Sequence, residues 1–457
     1  MTARNRGGWL VDYNPGSGER MSQASDPTRR EVFKAAAAAA SAATAGAASA
    51  SFQSNDQVGF GSIGVGNRGT ALLRNAIRGD AGRCVAVCDI YQPHLDKAIA
   101  TAGNSPKGYP DHRRLLDQKD LEAVIIATPP HQHFPIIRDA LLAGKHVFCE
   151  KVLVFKPEEV RQLRKLAAER SKQVIQVGLQ RRYSQFYRTA KQMVDKGLLG
   201  RVTHINGQWN RNPGSGIGWL MEIDPKRGKE SAWRLFREYS AGMMAERGCH
   251  QLDAADWMIG DHPDYVIGIG GNEFFHDGRT VYDNIQVIFH YPKGQKMMYQ
   301  SINTNGHLSL FRGAKSDFGE VILGTAGTIE ITLGPPAAGM WFYEPPPKVS
   351  PLMETVVAGP NPLERMKGLP ILIPNSMVTG PLERDMKWAH LWLEQNGVMV
   401  QQEEPSPELA QFRDFFECCR TGKRPAADVN IGLANSVMVM QSNLAMDEGR
   451  RAYFKEV

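Results

Sequence analysis

One short glycine turn constrains this chain more than any other feature. Gly64-Val65-Gly66-Asn67-Arg68-Gly69 follows a strand-like run, Val58 to Ile63, and opens a helix-like one, Thr70 to Ile77. Asp89 closes the next apolar run, twenty-three positions after Gly66. The parts explain one another. The first glycine permits a tight turn, the second lets the backbone approach a pyrophosphate, and the third lets the helix pack closely on its strand. An acid at that distance can accept from both hydroxyls of an adenine ribose and repels a 2′-phosphate. Gly64, Gly66, Asn67, Arg68, Gly69 and Asp89 are therefore expected to bind a dinucleotide, NAD rather than NADP.

The rest of the first half agrees with this turn. From Val58 to about Gly178, compact β-branched runs alternate with amphipathic helices. Cys84–Cys88, Ala123–Ala127, His146–Cys149 and Val174–Val177 read as buried parallel strands. Ile136–Ala143 and Pro157–Arg170 read as helices between them, the second with proline near its start. Alternating strand and helix predicts a doubly wound α/β sheet over residues 55–178. After Gly178 the period changes. Ile285, Val287, Phe289 and Tyr291 alternate with polar neighbours, and Val202 to Trp209 and Tyr265 to Gly271 are strand-like. These predict a second, α+β domain over 179–457 with an antiparallel sheet covered on one face. Tyr343 to about Pro405 is rich in Pro and Gly and reads as a long surface excursion. Helical patterns return from Pro407 and from Gly432 to Glu448.

Residues 1–50 read as an export segment rather than part of the fold. Arg29-Arg30 precedes the alanine-rich stretch Ala35 to Ala50, which ends in Ala48-Ser49-Ala50. A paired arginine, a weakly apolar segment and a small-x-small site match a twin-arginine signal, with Met21 the more ordinary start. The expected location is therefore periplasmic or otherwise outside the cytoplasm. Such export carries folded proteins, so a nucleotide held there is expected to be bound tightly.

Composition excludes other classes. The net charge is +6, and the first fifty residues, with six basic and four acidic side chains, contribute two of those units. So small and dispersed an excess argues against nucleic acid or a membrane surface as partner. Six cysteines in 457 residues make no disulfide framework. No spacing resembles a zinc site, so no metal is expected.

Several residues could carry chemistry. Glu150-Lys151 ends the run His146–Cys149, and ligands of doubly wound sheets lie outside the carboxyl ends of strands. Lys151 can thus hydrogen-bond a substrate hydroxyl. Ala245 to Trp257 reads as a helix with Glu246 and His250 one turn apart on a single face. An acid beside an imidazole orients it and raises its pKa, which suits a general base. Thr128-Pro129-Pro130-His131-Gln132-His133 follows a strand and would pass beneath the dinucleotide, with Thr128, Pro129, His133 and Glu150 as contacts. Arg181, Arg182 and Tyr183 offer donors to a polyhydroxylated ligand, and Trp209 offers either a core-packing surface or a sugar-stacking face.

Taken together, Ile63 to Gly69, Ala127-Thr128-Pro129-Pro130 with His133, Cys149-Glu150-Lys151, Gln180 to Tyr183 and Gly248 to Asp253 resemble the Gfo/Idh/MocA oxidoreductase family. The resemblance spans residues 57–457. It implies an N-terminal Rossmann domain and a C-terminal domain with an open, mostly antiparallel sheet that often forms a homo-oligomer interface. It also implies NAD as cofactor, a carbohydrate or polyol as substrate, Lys151 as catalytic lysine and His250 as general base. Two departures stand out: Glu246 replaces the usual aspartate, and Val152 replaces the proline that commonly follows Glu-Lys. Some exported members are redox-neutral NAD-dependent glycosidases, a second reading; a non-catalytic sugar-binding protein is a third.

Overall fold

The first sheet has six parallel strands, β1 (Val58–Ile63), β2 (Gly82–Cys88), β3 (Lys107–Tyr109), β4 (Ala123–Ile126), β5 (His146–Cys149) and β6 (Ile175–Val177), in the order β3-β2-β1-β4-β5-β6. Every residue of β1 and β4 is buried, which is why β4 reads as an unbroken apolar run and β1 as one interrupted only by Ser62. Helices α1 (Asn67–Arg78), α2 (Gln92–Ala102), α3 (His112–Leu116), α4 (His133–Leu142) and α5 (Pro157–Glu169) connect these strands. The strand order reverses between β1 and β4, the switch point at which such sheets bind ligands. This is the computed structural model of the chain, and it describes residues 57–456 apart from 80, 213–221, 305–317, 334–337, 344–367, 374–377, 379 and 401–405. The expected export segment lies outside the described residues.

The second sheet follows helix α6 (Gln185–Asp195). Its strands are β7 (Val202–Trp209), β8 (Tyr265–Gly271), β9 (Asn284–His290), β10 (Lys296–Ile302), β11 (Phe318–Gly324), β12 (Thr328–Thr332), β13 (Gly339–Tyr343), β14 (Leu369–Leu372) and β15 (Ala452–Tyr453). Their order is β14-β13-β12-β11-β7-β10-β9-β8-β15, and only the β7–β10 pair is parallel. Ile285, Val287 and Phe289 face the core, as their alternation predicts. Helix α7 (Cys249–Ile259) packs Leu252 and Met258 into the same core.

Two findings alter the expected organisation. The excursion from Tyr343 to Pro405 contains β14 and helix α8 (Pro381–Gln395), whose Ala389 and Leu393 are fully buried. The chain also returns to the first sheet. Helix α9 (Pro407–Thr421) sets Phe416 5.4 Å from Phe60 and Phe412 4.7 Å from Phe148, centre to centre. Gly82 makes room for it, since a Cβ there would lie 2.4 Å from the Phe416 ring. Helix α10 (Val429–Glu448) then gives Leu433 and Val437 to the core of the first sheet and Met438, Val439 and Met446 to that of the second. A helix packed on both sides needs apolar residues all round, and this one shows no amphipathic stripe.

Candidate active site

The glycine turn has the shape its spacing predicts. Gly64 has φ of +79°, and a Cβ there would lie 2.8 Å from the Ala127 carbonyl carbon and the Thr128 nitrogen. A Cβ on Gly69 would lie 1.8 Å from the Gly64 carbonyl oxygen. Gly66 is different: its nearest neighbours are His94 ring atoms at 3.5 and 3.6 Å, so the turn is open on that side. No side chain caps α1, which leaves its first-turn amides available to an anion. Asp89 is tied into the turn, accepting from Val65 N and Tyr91 N at 2.9 Å each. An uncapped helix start, a cradle that a Cβ would fill and an acid beside it fit a dinucleotide.

The ends of β4 and β5 lie beside this turn. Thr128 Oγ1 is buried with no hydrogen-bond partner among the described residues. Glu150, 5% exposed, accepts from Arg68 Nε at 2.7 Å, so these two expected nucleotide contacts act as one unit. The Lys151–Val152 peptide is cis. Lys151 Nζ donates to the carbonyl oxygens of Ala245 and Glu246, both at 3.0 Å. Two of its three protons are thus committed to the second half of the chain. His133 lies deep beside the same loops. It is 1% exposed, with Nδ1 2.6 Å from Val152 O and Nε2 2.9 Å from Thr128 O. The ring thus bridges the β4 and β5 loops, donating to one of the two carbonyls, and positions those loops.

The segment carrying His250 is not one continuous α-helix. Met244–Gly248 forms a π turn, and α7 begins at Cys249. The wider turn changes which side chains meet, and the expected Glu246–His250 pair is not made. Glu246 accepts instead from Arg234 Nε at 3.0 Å. Burial alone would raise the Glu246 pKa, but Lys151, Arg234 and Arg247 hold it below the usual carboxylate range. His250 is 6% exposed, and its Nδ1 has no hydrogen-bond partner among the described residues. Its pKa moves down, not up as expected. Burial is the largest cause, followed by the charges of Lys151, Arg181 and Arg68.

Arg181, Arg182 and Tyr183 also depart from expectation. The Arg181 guanidinium pairs with buried Glu320, which Tyr187 OH also reaches. Arg182 Nε holds both oxygens of Asp253, at 2.8 and 3.1 Å, and its guanidinium lies 5.1 Å from the Trp257 ring centre. Tyr183, 2% exposed, donates to Asp414 at 2.7 Å. All three fasten the segment after β6 to other elements, and only the Arg181 charge reaches His250. Trp209 is stacked on Phe318, with ring centres 4.6 Å apart, and its own ring centre is 6.2 Å from that of His250. Its Nε1 has no hydrogen-bond partner among the described residues. The sequence reading missed Arg234, Arg211 and Arg247, which belong to no recognisable motif. Among the described residues no three His, Cys, Asp or Glu side chains cluster to hold a metal ion, and no helix is long and apolar enough to cross a membrane.

Known proteins share this architecture. Residues 58–179 match the oxidoreductase family with an NAD-binding Rossmann fold, and residues 187–330 match the GFO/IDH/MocA C-terminal domain. Inositol 2-dehydrogenase of Salmonella typhimurium is 32% identical over 149 residues, which is 32% of this chain and 44% of that protein. The match thus spans less than half of that relative. Inositol 2-dehydrogenase of Rubrobacter xylanophilus is 27% identical over 286 residues, 62% of this chain and 73% of that one. Among solved structures, levoglucosan dehydrogenase in complex with NADH and levoglucosan superposes with a TM-score of 0.64 at 16% identity, covering 87% of this chain and 99% of its own. Aldose–aldose oxidoreductase from Caulobacter crescentus, complexed with glycerol, gives 0.63 at 19% identity with the same coverage. At such identity these two show the fold alone. Both halves of the chain, joined at the Lys151 clamp, belong to the Gfo/Idh/MocA oxidoreductase family, with NAD as the cofactor of its Rossmann domain.

Proposed function

We propose that this chain oxidises a hydroxyl group of a sugar, polyol or glycoside, using NAD that it holds tightly. One observation carries the reading. Lys151, at the end of a Rossmann strand, is clamped by two carbonyls of the π turn that leads into His250, near enough that its charge helps keep that imidazole neutral. The Gly64–Gly69 turn, Asp89, Thr128 and the Arg68–Glu150 pair would hold the cofactor. Bound NAD supplies the hydride acceptor. A neutral imidazole keeps one unprotonated nitrogen, which His250 uses to take the substrate hydroxyl proton. The remaining Lys151 proton hydrogen-bonds the same oxygen and stabilises the charge that develops on it, leaving a carbonyl product. Glu246, held by Arg234, fixes the charge around Lys151.

Two further readings belong to this proposal. The Arg29-Arg30 segment exports the folded protein, which is why the nucleotide must be retained. The outer face of the second sheet carries Ile267, Ile288 and Met298 directly opposite one another across β8, β9 and β10, with Ile269 beside them. An exposed apolar row of this kind suits a homo-oligomer interface.

The test begins by denaturing the purified mature protein and assaying the supernatant for NAD(H). A stoichiometric amount is expected, and none would remove the tight-retention reading. Sugars, polyols and glycosides are then screened for reduced nicotinamide, with products identified by mass spectrometry. A ketosugar is expected. A free aglycone without net reduction would point instead to the redox-neutral glycosidase. Conversion unchanged by both Lys151→Ala and His250→Ala would overturn the catalytic assignment.

A further inference from the structure

Cations gather around the segment that carries His250, and Lys151, Arg181 and Arg68 act on its imidazole. Arg68, Arg181, Arg182 and Arg234 are each matched to a carboxylate, namely Glu150, Glu320, Asp253 and Glu246. Arg211 is not: among the described residues no carboxylate forms an ion pair with it. Its guanidinium lies 5.8 Å from the Trp209 ring centre and 5.9 Å from that of Phe318. Trp209 in turn stands 6.2 Å from His250, ring centre to ring centre, so Arg211 and His250 share Trp209 as a neighbour. Arg247, on the π turn and 5% exposed, is pushed down to about 10 by burial, and the nearby Arg211 charge adds to that push.

A half-buried pocket with surplus positive charge is costly to leave without a counter-charge. A neutral polyol brings none. Trp209 and Phe318 lie near the Arg211 guanidinium, and a guanidinium presents its N–H groups in its own plane. In-plane N–H pairs take a carboxylate through two parallel bonds. One unmatched guanidinium calls for one negative charge, which a carboxylate carries and a phosphate monoester exceeds.

We propose that the substrate is a sugar acid, either a uronic acid or its glycoside, whose carboxylate is taken by Arg211 beside Trp209. This inference names the substrate class of the oxidoreductase site above and rests on that reading. Burial first, and then the Lys151, Arg181 and Arg68 charges, keep His250 from holding a proton, and a negative charge arriving with the substrate offsets the second of these and favours the proton transfer.

Isothermal titration of the NAD-loaded protein with methyl glucuronide, methyl glucoside and a hexose phosphate tests it. A bidentate charge-assisted contact predicts that the uronide binds at least about tenfold more tightly than the glucoside. Arg211→Gln is expected to bring the uronide down to the level of the glucoside, and Arg211→Lys, which keeps charge without the fork, to fall between. Equal affinity for uronide and glucoside in the unsubstituted protein overturns the proposal without any variant. So does a phosphate that binds as tightly as the uronide, or a uronide preference that survives R211Q. Titration reads binding rather than turnover, which keeps the two readings separable. NADH formation from neutral polyols with no uronide preference sinks the sugar-acid proposal and leaves the oxidoreductase standing. Selective uronide binding without NADH from any sugar does the reverse.

Discussion

Two alanine substitutions in the glycine turn separate what the fold needs from what the nucleotide needs. At Gly69 a Cβ would lie 1.8 Å from the Gly64 carbonyl oxygen and 2.9 Å from its carbon. Both are backbone atoms, and ordinary contact begins near ~3.5 Å, so α1 must retreat from the turn by more than about 1 Å. Such overpacking costs about 1–3 kcal/mol, against a gain of about 1 kcal/mol from the better helix propensity of alanine. At Gly66 the nearest atoms are His94 ring atoms at 3.5 and 3.6 Å, and the backbone is extended with a negative φ of −63°. The added methyl fits the protein there but occupies the open side of the turn. Stability should change by under about 1 kcal/mol. NAD affinity should fall about 10–100-fold, the worth of one charge-assisted hydrogen bond. Denaturant unfolding of nucleotide-free protein reads the first effect, and calorimetric titration with NAD reads the second. Gly69→Ala is expected to lower both, Gly66→Ala affinity alone. A Gly66→Ala protein that binds NAD like the parent would refute the placement of the nucleotide on this turn.

Three further outcomes are expected. His250→Ala should cut kcat by about 10²–10⁴ with NAD affinity retained, as loss of a general base does. Because burial and the Lys151, Arg181 and Arg68 charges lower the His250 pKa from 6.5, the base form persists at neutral pH. Then kcat/KM stays flat as pH falls toward that value and declines only below it, and an acid limb above pH 7 would contradict the assignment. Arg234→Ala removes the Glu246 partner and lets that carboxylate draw on Lys151, so kcat should drop about 10–100-fold with a smaller change in KM, while Arg234→Lys recovers part of the loss. Ile288→Lys places a charge in the middle of the outer apolar row; light scattering should show a smaller assembly, and an unchanged mass would exclude that face as the interface.

The parallel sheet was legible because burial on both faces keeps its strands mostly apolar, with Ser62 and Gln176 as buried polar exceptions. His146–Cys149 and Val202–Trp209 have the expected ends. What could not be read was the destination of an apolar face. Phe412, Phe415 and Phe416 mark one side of α9 as buried, yet nothing local says that this side meets Phe60 and Phe148 more than 250 positions earlier. Helix α8 was a different kind of miss. Met386, Ala389 and Leu393 are spaced for one helical face, but the Pro and Gly on either side of them obscured the pattern.

The site divides along the same line. Lys151 was readable from topology, since residues at the carboxyl ends of parallel strands face the ligand crevice. The partners of charged side chains were not readable, because they come from other elements. Glu246 stands four positions before His250, a neighbour in an α-helix, but i→i+5 bonding in the π turn breaks that relation and Arg234 takes the carboxylate. Arg181, Arg182 and Tyr183 looked like ligand donors until the acids that claim them were located. Glu320, Asp253 and Asp414 lie 139, 71 and 231 positions further along. An arginine is therefore informative about ligands only after its acids are accounted for. By that criterion Arg181 and Arg182 belong to the scaffold, while Arg211, in no motif at all, forms no ion pair with a carboxylate among the described residues.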